Sequence, residues 1–170
     1  MIFLVVLAVG TLIALAAQAA RRTVSLRQAA RIGMAIAMVV AGISHLVRPL
    51  PFLQHLPAWV PAAELLIFVT GIAEVVLGLA LLLPQPWRGH AGTALAAYLV
   101  AVFPANVYVA VAGIDVDGQP DGIYAWLRLP FQVLFVAWAL WSTGWRMREL
   151  RSIRTVFAVP ERSAPAVVVP

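Results

Sequence analysis

Five long apolar segments follow one another along the chain, separated by short stretches rich in proline, glycine and arginine. They cover residues 2–19, 32–47, 62–83, 91–112 and 124–144. A membrane-crossing helix needs about 20 apolar residues, with a range of about 17 to 25, and Ala29 and Ala30 extend the short second segment backwards. Stretches such as "PQPWRGH" and "GIDVDGQPDG" contain residues that end helices. The pattern therefore predicts an all-α polytopic membrane protein.

The composition supports a membrane protein and narrows its chemistry. Of the 170 residues, 63% are hydrophobic and only 11% are charged, whereas soluble domains usually carry about 25% charged residues. There is no cysteine, which excludes thiol chemistry, disulfides and iron–sulfur clusters. A redox role would therefore need a bound cofactor or a quinone. All twelve basic residues are arginines that lie beside apolar segments, so they indicate membrane orientation rather than nucleic-acid binding.

The distribution of arginines predicts which way the helices cross the membrane. If the N-terminus is outside, only Arg48 and Arg128 lie toward the outer side. The other ten then lie on the inner side: Arg21, Arg22, Arg27, Arg31, Arg88, Arg146, Arg148, Arg151, Arg154 and Arg162. The positive-inside rule therefore predicts a multi-pass protein of the cell membrane with its N-terminus outside and its C-terminus in the cytoplasm.

The chain divides into three predicted regions. Residues 1–20 form an N-terminal transmembrane helix, 29–144 a four-helix membrane bundle, and 145–170 a basic cytoplasmic tail whose end is predicted to be disordered. The alternative is that residues 1–20 are a cleaved signal peptide, because "LAAQAA" resembles a cleavage site. No basic residue precedes the apolar run, and cleavage would invert every later helix, so the charge pattern favours an uncleaved helix.

Several polar residues fall inside the predicted spans. An ionisable group at the centre of a membrane helix costs roughly 2.5 kcal/mol or more, so each is expected to have a partner or a function. The candidates are His45, Glu64, Glu74, Asn106, Arg128 and Gln132. Helix directions place all of them except Glu74 in the outer half of the membrane. An ion pair of Arg128 with Glu64 or Glu74 is expected, and His45 either joins it or stays neutral.

Prolines are expected to shape the same region. Pro104 and Pro130 each remove one helical hydrogen bond and free the carbonyl four residues earlier, so kinks there are predicted to open a polar cavity. The stretch "RPLPFLQHLPAWVP", which contains Pro49, Pro57 and Trp59, is predicted to be a rigid lid with its tryptophan at the membrane interface.

Metal sites are not predicted. "DVDGQPDG" resembles the start of a calcium loop, but Pro120 replaces its glycine and no glutamate ends it. The three histidines lie on different loops or helix ends, with His90 on the inner side, which excludes a three-histidine site. Haem would need His45 and His55 together.

Several quoted motifs resemble the DoxX-like family of small membrane proteins. The resemblance covers residues 30–144 and rests on "GISHLVRPLPFLQHLPAWVPAAELLIFVTGIAEVVLGLALLLP", "AVFPANVYVA" and "WLRLPFQVLFVAWA". It implies a four-helix bundle, and a link to redox systems, because the family is named for a subunit associated with thiosulfate:quinone oxidoreductase. The matching family positions are His45, Pro49, Pro57, Glu74, Pro104, Asn106, Arg128, Pro130 and Gln132. The helix at 2–19 is a departure from the family pattern.

The leading hypothesis is a membrane subunit that binds a quinone or similar small amphiphile in an outward-facing polar pocket. The pocket is built from His45, Glu64, Asn106, Arg128 and Gln132. In this hypothesis Arg128 and Asn106 donate hydrogen bonds to a carbonyl oxygen of the ligand, and His45 or Glu74 exchanges protons.

The alternative is a non-catalytic assembly subunit, whose polar cluster is structural and whose helices bind another membrane or redox protein. A small transporter is the third reading, which the lack of an inverted repeat disfavours.

Overall fold

The computed structural model describes residues 2–120 and 122–144 and is entirely helical there. Its helices are α1 Ile2–Ala20, α2 Leu26–Val47, α3 Leu50–Leu53, α4 Ala63–Ala80, α5 Trp87–Ala112 and α6 Ile123–Thr143. All of them except α3 are long and apolar enough to cross a membrane. The predicted all-α membrane fold, a four-helix bundle with one extra N-terminal helix, is therefore confirmed. The predicted basic tail, 145–170, lies outside the described residues.

Successive long helices run in opposite directions, so their connections collect at two ends. The basic end contains residues 21–25, 81–86 and 144, and the Gln85 amide donates to the Thr143 carbonyl there, at 3.2 Å. The cap end contains residues 48–62 and 113–122. There the Asp117 backbone N–H donates to the Gln54 side-chain oxygen at 2.8 Å. These hydrogen bonds join connections that are far apart in sequence.

Helix α2 is the centre of the bundle, because it packs against α1, α4 and α6. Small residues allow the close approach: a Cβ added to Gly42 of α2 would lie 2.5 Å from the Gly71 carbonyl oxygen of α4. Membrane helices associate through such close packing, since lipid provides no hydrophobic drive between them. Gly71 lies one turn before Glu74, so this contact sets the spacing of the helices that carry the candidate site.

Two helices begin earlier than the apolar pattern predicts. Helix α2 starts at Leu26, where the Ser25 hydroxyl accepts from the Gln28 N–H at 3.4 Å, and α5 starts at Trp87. In both cases the first turn carries arginine, which lowers the local hydropathy without preventing a helix. A side-chain cap satisfies an N–H that the helix itself leaves unpaired.

The faces that do not pack within the bundle are apolar. More than half of the surface of Val5, Phe68, Val76, Val100 and Val133 is accessible. In a protein with spanning helices such side chains contact the acyl chains of the bilayer, so lipid is a partner of this chain.

Candidate functional site

Three side chains from three helices form a hydrogen-bonded group within the membrane span, which we call the deep polar group. His45 of α2 and Glu74 of α4 meet at 2.7 Å between Nδ1 and Oε2. The Tyr98 hydroxyl of α5 donates to Glu74 Oε1 at 2.9 Å. Both carboxylate oxygens of a residue that is 8% exposed therefore have a partner.

The geometry of this group fixes the orientation of the His45 ring. Because Nδ1 faces the carboxylate, Nε2 is left for another partner, and it forms no hydrogen bond within residues 2–120 and 122–144. The His45 side chain keeps 10% of its surface accessible. A carboxylate that orients a histidine in this way is a common arrangement for a histidine that accepts or delivers a proton.

Gln132 lies at the same level on α6 but bonds to backbone. Its Nε2 donates to the Leu99 carbonyl of α5 at 2.6 Å. Leu99 precedes Val100, whose carbonyl has no helical N–H partner because residue 104 is a proline. Gln132 thus joins α5 to α6 beside the proline rather than facing a ligand.

The two prolines do not line a polar cavity. Pro104 and Pro130 are exposed, and α5 and α6 continue as helices through them. Both rings lie on the outer surface of the bundle, and the expectation that kinks at these residues open the polar region stays a prediction.

A second polar group lies at the cap end and contains His55, Asn106, Gln119 and Arg128; we call it the cap group. Arg128 Nη2 is 3.1 Å from Asn106 Oδ1 and 2.9 Å from His55 Nε2. Its Nη1 donates to Gln119 Oε1. One guanidinium group therefore joins α6, α5, the α5–α6 connection and the segment after α3, an arrangement for which its several donors are suited.

The His55 ring is an acceptor in this group. Its Nδ1 donates to the Pro51 carbonyl at 2.7 Å, which leaves the Nε2 lone pair for Arg128. Burial lowers the pKa of His55 to about 4; the hydrogen bond to Pro51 opposes this shift and the charge of Arg128 adds to it. His55 is consequently neutral at pH 7, as an arginine acceptor must be.

The segment 49–60, which belongs to the predicted lid, lies against the deep polar group. Pro49 caps α3, and Phe52 lies against His45 with a ring-centroid distance of 3.7 Å. Pro57 follows α3, and Trp59 is 81% exposed at the rim.

The Phe52 ring lies next to both His45 and His55, at 3.7 and 6.5 Å between centroids. Both Nδ1 atoms are already hydrogen-bonded, and His55 Nε2 faces Arg128. This arrangement does not fit a haem held by the two histidines. Within residues 2–120 and 122–144, no cluster of three or more His, Cys, Asp or Glu is placed to hold a metal ion.

Several sequence-based expectations about the site are wrong. Glu64 is exposed in the first turn of α4 and belongs to neither polar group. Arg128 pairs with neither Glu64 nor Glu74; among the described residues Glu74 is hydrogen-bonded to His45 and Tyr98. Tyr98 and Asn106, which mark the levels of Glu74 and Arg128 on α5, are eight residues apart, or about 12 Å at about 1.5 Å per residue. That separation keeps Arg128 and Glu74 in different groups.

The expected polar pocket is not one of two clefts that open elsewhere on the described structure. A cleft of about 380 Å³ opens at the cap end between α5 and α6, lined by Val109, Ile114, Ile123 and Trp126 among others. A second, of about 280 Å³, opens at the basic end. Neither is lined by the deep polar group or the cap group, because their members bond mainly to one another.

Sequence reasoning missed Phe52, Tyr98 and Gln119, and treated His55 only as a haem candidate. Tyr98 carried a usable signal, since a phenol in the middle of an apolar span needs a hydrogen-bond partner. Gln119 gave no such signal, because glutamine is an ordinary residue in a polar connection between helices.

A family model matches residues 34–143, which is more than half of the chain. The chain belongs to the DUF8561 family. This family is described as a domain of unknown function. The DUF8561 region contains α3 to α6 and most of α2, so both polar groups lie in it, whereas α1 lies outside. No curated protein and no solved structure matches this chain.

Proposed function

We propose that this chain is a DoxX-like membrane subunit that binds a small amphiphile beside the deep polar group, with a quinone head group as the first candidate. The observation that carries the proposal is the orientation of His45 by Glu74. Within the membrane span, one ring nitrogen is fixed by a buried carboxylate and the other has no protein partner in the described residues. Ionisable groups at membrane depth are rare and usually serve transport or proton transfer.

In the proposed complex a hydroxyl of the reduced (quinol) head group donates to His45 Nε2, which is an acceptor when Nδ1–H donates to Glu74. Glu74 holds the histidine tautomer and exchanges the proton, while the Tyr98 hydroxyl keeps the carboxylate in place. This assignment gives His45 and Glu74 the proton-exchanging roles. Arg128 and Asn106 act on the lid, since their hydrogen bonds are made to each other and to His55.

Access to His45 would be controlled by the lid. Phe52 covers the ring at 3.7 Å, and the cap group holds the segment after α3 through His55. A ligand entering from the membrane would displace Phe52 and leave the cap group intact.

We propose the orientation in which the cap end faces outside and the basic end faces the cytoplasm. Among the described residues, Arg21, Arg22, Arg27, Arg31 and Arg88 lie toward the basic end. Only Arg48 and Arg128 lie toward the cap end, which fits the positive-inside rule.

The second candidate function is a non-catalytic assembly subunit. It is favoured by a specific observation: the members of both polar groups are hydrogen-bonded within the chain, and neither described cleft opens onto them. In that case the polar groups stabilise the bundle, and the apolar outer faces bind another membrane or redox protein.

Native mass spectrometry with quinone and lipid extraction, on mildly solubilised protein, separates the two functions. His45→Gln keeps a polar side chain but removes the oriented ring, and His90→Gln, at an exposed position of the basic end, is its matched control. A stoichiometric amphiphile that is lost only in His45→Gln, with equal thermal stability of the variants, supports the ligand-binding subunit.

Arg128→Ala and Asn106→Ala extend the same experiment to the cap group. If they unfold the protein while the wild type carries no small molecule and retains a partner protein, the assembly subunit is the correct reading. An empty wild-type protein therefore contradicts the first proposal directly.

A further inference from the structure

The cleft at the basic end is lined by cations and hydroxyl groups. Its walls include Ser25, Arg27, Arg31, Arg88, Ser142 and Thr143. They come from the start of α2, the start of α5 and the end of α6, so three helices converge on a space of about 280 Å³.

Donors without acceptors are concentrated at this end. Among the described residues, the buried side-chain nitrogen or oxygen atoms that lack a partner are Gln18 Nε2, Arg31 Nε and Arg88 Nε. All three are N–H donors. Gln18 lies next to the cleft, because its Oε1 accepts from the Ser25 N–H at 2.7 Å.

The charges around the cleft also favour an anion. The acidic residues of the described chain are Glu64, Glu74, Asp115 and Asp117, and all lie in the bundle interior or toward the cap end. The first turns of α2 and α5 contribute the positive ends of two helix dipoles. Arg31 and Arg88 line one cleft with like charges facing each other, which an anion between them would relieve.

We propose that this cleft binds a phosphate oxyanion, and that its source is the head group of an anionic phospholipid. The Nε–H and the adjacent Nη–H of an arginine form the edge that binds two phosphate oxygens at once, and the unpartnered Nε atoms show that this edge is available on Arg31 and Arg88. The guanidinium carbon of Arg27 lies over the Trp141 ring instead, 5.9 Å from the ring centroid.

The position of the cleft favours a lipid as the source of the phosphate. It lies between helix ends, and the exposed apolar residues Leu26, Trp87 and Trp141 are sequence neighbours of its lining residues Arg27, Arg88 and Ser142. Acyl chains can pack on these residues while the head group enters the cleft. Free phosphate would make the same hydrogen bonds but gain nothing from the apolar rim.

The test measures phospholipid binding by native mass spectrometry and thermal unfolding in nanodiscs. Each protein is placed in nanodiscs of phosphatidylcholine with and without phosphatidylglycerol. The proteins compared are the wild type, the double variant Arg31→Gln with Arg88→Gln, and the double variant Arg21→Gln with Arg22→Gln. The last pair is the matched control, because it removes two charges from exposed positions of the same end. We expect phosphatidylglycerol to bind about 10- to 100-fold more weakly to the first variant only, as lost charge-assisted hydrogen bonds imply.

A second double variant distinguishes a loss of lipid binding from misfolding. Arg31→Lys with Arg88→Lys keeps both charges but removes both Nε donors, so it is expected to fold in phosphatidylcholine and still to bind phosphatidylglycerol more weakly than the wild type. Equal losses in the cleft variant and the control, or none in either, would overturn the proposal, since diffuse surface charge would then explain binding. Stabilisation by inorganic phosphate in phosphatidylcholine nanodiscs, equal to that by phosphatidylglycerol, would overturn the lipid as the source.

Discussion

The two ends of this bundle use positive charge in opposite ways. At the cap end one arginine, Arg128, is surrounded by acceptors from three other parts of the chain. At the basic end Arg31 and Arg88 have buried Nε donors with no acceptor in the described chain. The same side chain thus joins several segments at one end, and at the other it lines the cleft for which we propose an anion. The two ends differ in the hydrogen-bond acceptors that surround their arginines, not in the charge of the arginine side chain.

The two ends also differ in how their polar residues are paired inside the membrane. Both ends of the bundle carry arginine, but among the described residues only the cap-end half contains a buried acid, Glu74, and that acid bonds to His45 and Tyr98 instead of an arginine. Because no permanent cation bonds to this carboxylate in the described residues, we propose proton exchange for the deep polar group and a structural role for the cap group.

The largest effect is expected from Glu74→Ala. It leaves His45 and Tyr98 buried without their partner, and breaking such a buried pair costs about 3–5 kcal/mol of unfolding free energy. Equilibrium unfolding in detergent micelles measures the loss. Glu64→Ala is the control, because Glu64 is exposed and its removal should change stability by less than about 0.5 kcal/mol. Equal effects of the two substitutions would contradict the deep polar group.

Arg128→Met tests whether the cap end depends on one cation. The change keeps the length of the side chain but leaves acceptors on His55, Asn106 and Gln119 without their donor, so we expect a loss of about 1–3 kcal/mol. Hydrogen exchange of residues 50–60 should increase as well, since His55 no longer holds this segment. Arg48→Met, at an exposed position of the same end, should leave both measurements unchanged.

Acidification should open the lid through His55. Its pKa is about 4 in the folded protein and 6.5 without the fold, so the open form binds more protons and stability is lost as the pH falls from 6.5 toward 4. Between about pH 7.5 and 5.5 we expect the opening equilibrium of residues 50–60 to rise by about tenfold. Hydrogen exchange across this range measures it.

A His55→Gln variant provides the control for the pH experiment. Glutamine does not titrate, so most of the pH dependence of exchange in the lid should disappear, while His90→Gln should leave it intact. If both variants retain the full dependence, another group controls the lid.

The smallest effect is expected at the basic end, from Trp138→Phe. The Trp138 indole N–H donates to the Ala30 carbonyl at 3.0 Å, and loss of one such neutral bond costs about 0.5–1.5 kcal/mol. Trp126→Phe, at an exposed site, should have no measurable effect on the same unfolding curve. A loss at Trp138 as large as that of Glu74→Ala would contradict the expectation that one neutral hydrogen bond contributes less stability than the buried His45–Glu74 pair.

Depth along the sequence was a poor guide to which polar residues meet. Counting from helix ends placed His45 near the surface and Glu74 past the middle of the membrane, yet the two side chains are 2.7 Å apart. The reason is that α4 starts further out than α2 ends, with α3 and the lid filling the difference. The Gly42–Gly71 contact fixes this offset, and an offset between helices is a property of packing that hydropathy does not contain.

The sequence by itself determined the membrane class, the five spanning helices and the arginine asymmetry, because length, hydropathy and charge act locally along each segment. It also identified His45, Glu74, Asn106, Arg128 and Gln132 as costly groups that need partners. Only the tertiary structure decided the partners: His45 with Glu74 and Tyr98, Arg128 with His55, and Glu64 with none of them. Partner choice depends on the rotation and offset of whole helices, which are set by close contacts between helices that are far apart in the chain, and hydropathy does not specify these contacts.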